Sequence, residues 1–139
     1  MKPSSISQLS RKPAQKTLQK PVDRPSSEIC NPAVAFFFAW KKGVELAGTR
    51  YFGDGTQESF SKANCRWDLR PNVRVINNSF EVLTEQERMF LAALVSFFDT
   101  DQGCSFLKQS GVRGLADLGL LNVEQRDVIA GLIMHNHDW

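Results

Sequence analysis

Few residues in this chain have the types and spacing that chemistry needs. Its three cysteines, Cys30, Cys65 and Cys104, lie far apart and form no CxxC pair. That spacing argues against a disulfide scaffold and against a zinc knuckle, and reduced thiols are expected of a cytoplasmic protein. Its two histidines, His135 and His137, stand two positions apart. On a helix such a pair diverges by roughly 200°, so both reach one metal only where the helix has frayed. A site there also needs ligands from elsewhere. Histidines favoured at a helix C-terminus by the backbone dipole are the expected reading. Cys104 falls near an expected helix start, where a thiolate is stabilised, and with a histidine it would form a nucleophile pair. No oxyanion hole or orienting third group accompanies it. Phosphate loops, dinucleotide fingerprints and GxSxG elbows are missing from the sequence. These residues lead to an expectation of a non-catalytic protein that holds no metal and no cofactor.

Residues 83–107, LTEQERMFLAALVSFFDTDQGCSFL, resemble the helix and loop start of the EF-hand family. The resemblance implies calcium-loop roles for Asp99, Asp101, Gly103 and Ser105 at loop positions one, three, five and seven. The sequence departs from the family at Cys104, where the turn needs glycine, and at Ser110, where the ion needs a bidentate glutamate. A following helix capped by Asp99 or Asp101 is the expectation. Residues 104–121 resemble a helix-turn-helix or helix-hairpin-helix in outline. Such a hairpin would offer backbone N–H groups to a phosphate, with Lys108 and Arg113 beside it. The next helix carries Arg126 as its one base against Glu124 and Asp127, too few donors for a recognition helix, so plain packing is expected.

Charge divides the chain. Residues 1–28 carry six bases (Lys2, Arg11, Lys12, Lys16, Lys20 and Arg24) against two acids, and four of the six prolines. Their large apolar residues are too sparse to build a core, so a disordered basic Pro/Ser-rich tail is expected. Residues 29–139 carry eleven bases against thirteen acids. They also hold all ten phenylalanines and all three tryptophans, enough ring area for a core in a domain of about 110 residues. We therefore expect one compact, mostly helical domain over 29–139. The start of the chain lacks the apolar region of a secretory signal. No run of 18 apolar residues marks a membrane span.

The elements that must position these side chains follow from capping and periodicity. Asn31 and Pro32 open a first helix that Gly48 stops. Its first half, with Phe36, Phe37, Phe38 and Trp40, is apolar all round, which requires deep burial or a covering partner. Gly43 invites a bend. A Gly53-Asp54-Gly55 turn and a short helix near Glu58–Ala63 follow, pinned by Tyr51, Phe52, Phe60 and Trp67. Residues 73–76, Val-Arg-Val-Ile, read as a short strand in search of a partner near Arg50–Phe52. Thr84 and Glu87 form a capping box for a helix whose one face buries Met89, Phe90, Ala93, Leu94, Phe97 and Phe98. A short helix over Cys104–Gln109, an apolar turn at Leu115–Leu121, and a last helix capped by Asn122 and Gln125 complete the domain. Trp139 is expected to pack back on it. The fold class is thus mainly α: a small bundle of four to five helices with a minor β element, preceded by a disordered basic arm.

Two functions fit this reading. The first is an interaction or regulatory protein acting through protein–protein contacts or self-association at Phe36, Phe37, Phe38 and Trp40. The second is a sequence-nonspecific nucleic-acid-binding accessory protein using Lys2, Arg11, Lys12, Lys16, Lys20 and Arg24.

Overall fold

The computed structural model describes residues 32–136. The basic arm, Asn31, His137 and Trp139 lie outside the described residues. Among the described residues are six α-helices and four 3-10 turns. They are α1 (Pro32–Ala47), α2 (Gln57–Lys62), α3 (Val73–Ser79), α4 (Glu85–Ser96), α5 (Thr100–Gln109) and α6 (Val123–Met134). The fold is mainly helical, as expected, with a slightly larger number of shorter helices.

The caps explain where the helices begin. At α4 the Thr84 hydroxyl accepts from the Glu87 N–H at 3.1 Å, and the Glu87 carboxylate accepts from the Thr84 N–H at 2.8 Å. Asn122 and Gln125 make the same reciprocal pair at α6. Each box satisfies two donors that a helix N-terminus leaves bare. Gly48, at φ 120°, ends α1 as expected. Gly53 and Gly55, both at positive φ, form the predicted turn. Between them the Asp54 carboxylate accepts from the Thr56 hydroxyl, the Ser59 hydroxyl and the Thr56 N–H. Those bonds, the Thr56 hydroxyl first, hold the Asp54 carboxyl below its ordinary pKa.

One expected element changes type. Residues 73–76 are not a strand but the first turn of α3, with the Asn72 side chain accepting from the Val75 N–H at 3.2 Å. A cap immediately before a β-prone run outweighs the weak propensity of that run. The β content of the described residues is one isolated antiparallel bridge, Phe52 with Pro71. The Gly53 N–H donates to Arg70 O and the Asn72 N–H to Tyr51 O, both at 2.8 Å. The segment near Arg50–Phe52 therefore does find an extended partner, two residues earlier than anticipated.

The enclosed helix is α4 rather than α1. Every residue from Met89 to Val95 is buried, because α1 and α6 cover one side of α4 and α5 covers another. Helix α1 faces solvent along Val34 and Phe38 and buries Phe36, Trp40 and Val44 completely. Gly43 is a crossing point: a Cβ there would meet Val128 Cγ1 at 2.9 Å and Leu94 Cδ2 at 3.0 Å. On α5, a Cβ at Gly103 would lie 2.3 Å from Ser96 Cα. Glycine is thus what lets α5 turn back so closely after α4. That sequence contains no calcium loop, since Thr100–Gln109 is helical and Asp99 caps it by accepting from the Gln102 N–H.

Trp40 ties the layers together. Its indole N–H donates to Leu69 O at 3.0 Å, and its rings meet Phe98 at 4.8 Å and Phe52 at 5.6 Å. Trp40→Phe leaves the buried Leu69 carbonyl unpaired and is expected to lower stability by about 1–3 kcal/mol in urea unfolding. Trp40→Ala is expected to cost more, about 3–5 kcal/mol. Gly103→Ala tests the helix contact. Its gain in helix propensity of ~1 kcal/mol is expected to be overridden by the clash with Ser96, so thermal unfolding moves to lower temperature.

Candidate interaction surface

Aromatic and cationic side chains gather around a 3-10 turn, Arg66–Leu69, that lies against the N-terminal half of α1. The Asn64 N–H donates to the Asp68 carboxylate at 2.9 Å, and the Asp68 N–H donates to Cys65 O at 3.1 Å. These bonds fix the turn, so consecutive side chains point in different directions. Arg66 and Leu69 go inward while Trp67 stands 52% exposed.

Arg66 is the buried charge of this region, at 6% exposure. Its guanidinium carbon lies 4.5 Å from the Phe98 ring, 4.8 Å from Trp67 and 5.0 Å from Phe36. Three aromatic faces therefore supply the negative potential that water would otherwise provide. Burial pulls the Arg66 pKa down from its ordinary value, yet a guanidinium remains charged in a protein. Trp67 in turn packs edge-on to Phe98 at 5.3 Å and carries Arg70 6.0 Å from its ring. Phe37, half-buried, carries Lys41, which also sits 5.1 Å from Phe60. Between α1 and this turn is an open hollow of about 270 Å³, lined by Val34, Phe37, Asn64, Cys65, Arg66 and Trp67 among others. A second depression of about 120 Å³ adjoins Trp67, Arg70, Phe98 and Asp99.

The residues singled out from sequence fall on both sides of this wall. Phe36 and Trp40 are inside the core, Phe37 borders the hollow, and Phe38 is 73% exposed. Lys2, Arg11, Lys12, Lys16, Lys20 and Arg24 lie outside the described residues, as does Cys30. Cys65 and Cys104 are exposed free thiols. Cys104 sits mid-helix on α5, away from the helix start where a thiolate would gain from the dipole. His135 is the C-cap of α6, its backbone N–H donating to Gly131 O. Among the described residues no three His, Cys, Asp or Glu side chains gather as a metal site.

The hairpin at 108–114 has its amides engaged internally. Gly111 N–H donates to Lys108 O, Val112 N–H to Leu107 O, and Arg113 N–H to the Asp117 carboxylate at 2.8 Å. A phosphate therefore finds none of those three donors turned outward. The Arg113 bond, first among the causes, also holds the Asp117 carboxyl below its ordinary pKa. Sequence reasoning missed Arg66 and the depth of the hollow. The signal was Trp67 flanked by Arg66 and Arg70, which periodicity does not rank.

No family model, curated protein or solved structure matches this chain. Among the described residues no helix is long and apolar enough to cross a membrane.

The aromatic box around Arg66 makes a stability test. Arg66→Lys keeps the charge but loses the planar group that fits against three rings, and is expected to lower stability by about 1–2 kcal/mol in urea unfolding. A substitution without effect would show that the three ring contacts add nothing beyond the charge.

Proposed function

We propose that this chain is a non-catalytic interaction or regulatory protein, cytoplasmic, whose partner protein docks on the face formed by Phe37, Phe38 and Trp67. The observation that carries this reading is the exposure of two large rings: Trp67, at 52%, lines an apolar hollow, and Phe38, at 73%, stands one helical turn from the lining residue Val34. Aromatic and arginine side chains are the residues that dominate binding energy at the centre of protein interfaces. Both rings are mounted on capped or hydrogen-bonded backbone, so little ordering entropy is lost when a partner covers them. Exposed thiols at Cys65 and Cys104 fit a reducing compartment.

A second reading, nonspecific nucleic-acid binding through Lys2, Arg11, Lys12, Lys16, Lys20 and Arg24, is favoured by one observation: six bases against two acids in residues 1–28.

Crosslinked capture with the full chain and with a Phe38→Ala/Trp67→Ala chain separates the two. A protein recovered with the full chain is repurified and titrated against both. The double substitution is expected to weaken its binding at least tenfold while circular dichroism is unchanged. Equal binding to both chains rejects the interaction face. Nucleic acid that co-purifies and is lost with residues 1–28 supports the second reading instead.

A further inference from the structure

The charges around the hollow indicate what kind of protein segment fills it. Residues 32–74, which include the hollow's whole lining, carry seven bases against four acids, and residues 75–136 carry four against eight. The acids of the first group are largely occupied. Glu58 pairs with Lys62 at 2.9 Å, Asp68 accepts from the Asn64 N–H, and Asp54 is held in its own turn. No carboxylate lines the hollow. Lys41 stands beside Phe37, and Arg70 beside Trp67, so each of these two lining rings carries a cation.

We propose that the hollow receives an acidic peptide segment of a partner protein, with one large apolar side chain in the hollow and flanking carboxylates on Lys41 and Arg70. This rests on the interaction reading given above. A cavity of about 150 Å³ accepts benzene, so the roughly 270 Å³ here admits a leucine, phenylalanine or indole side chain. Around it, unlike charges steer the encounter and fix the register of the bound segment. A single-stranded nucleic acid fits less well. Base stacking needs free ring faces, whereas Trp67 already carries Arg66 and Arg70, and Phe37 carries Lys41.

A displayed library of random 12-residue peptides, panned on the full chain, tests the proposal. Enriched peptides are expected to place Asp or Glu within a few positions of Leu, Phe or Trp. A synthetic peptide of that kind is then titrated by fluorescence anisotropy. Lys41→Glu/Arg70→Glu is expected to weaken it at least tenfold, and Trp67→Ala comparably. Should the charge-reversed chain fail to fold, the native chain decides: affinity is expected to fall several-fold between 50 and 300 mM salt. Peptides that need Trp67 but show no acidic bias and no salt dependence overturn the acidic partner and leave the interaction face standing. An empty selection overturns the peptide site altogether. Tighter binding of an oligo-dT strand, lost in the Trp67→Ala chain, would reassign the surface to nucleic acid.

Discussion

The indole of Trp40 is the constraint on which the rest of the structure hangs. Helices here are short, and short helices gain their stability from packing rather than from propensity. The segment between α1 and α3 has little regular structure to organise it. Trp40 supplies that organisation from α1: its N–H takes the Leu69 carbonyl, and its ring surface takes Phe52 from one end of the segment and Phe98 from the end of α4. With those three points fixed, the bridge between Phe52 and Pro71 closes and the turn at Arg66–Leu69 is held against α1. The presentation of Trp67 is thus a downstream result of a residue that never reaches the surface.

Arg66 shows how the same aromatic cluster serves two purposes. Placing a cation in a core is costly unless something replaces its hydration. Phe36, Trp67 and Phe98 do so, and two of these rings also touch other elements: Phe36 meets Phe97 at 6.1 Å, and Phe98 meets Trp40 on α1 at 4.8 Å. The core and the hollow therefore share a wall one ring thick. Changes on the solvent side of Trp67 reach Phe98 directly, and Phe98 is followed at once by the cap of α5.

What the sequence made legible were features decided by neighbours along the chain. The reciprocal boxes at Thr84 and Asn122, the stop at Gly48, the turn at Gly53–Gly55 and the cap at Asp99 each depend on side chains within a few positions of the backbone they satisfy. What it concealed were features decided by distant contacts. Val73–Ile76 has the composition of a strand, but no partner strand exists among the described residues and Asn72 offers a cap. The run at Phe36–Trp40 called for deep burial or a covering partner; within the fold Phe38 points to water while Leu91, Ala92 and Val95 of α4 are covered. Composition reports how apolar a helix is and leaves open which neighbours surround it. The proposed interaction face was half legible for the same reason: its phenylalanines stood out as a run, while Arg66 and Trp67 took their places only from a fold that brings residues 64–67 beside α1.

The antiparallel approach of α1 and α6 has a topological consequence. A Cβ on Gly131 would touch Ala39, and one on Gly43 would touch Val128. In that register, Pro32 and Asn136 emerge at the same end of the helix pair, about 10 Å and 8 Å along their axes from the Ala39–Gly131 contact. The described fold is therefore close to a ring, and the order in which its helices follow one another is not what holds them together. A circularly permuted chain, joined from 136 to 32 by a short polar linker and opened at the exposed Gly111 turn, would keep every helix contact described above.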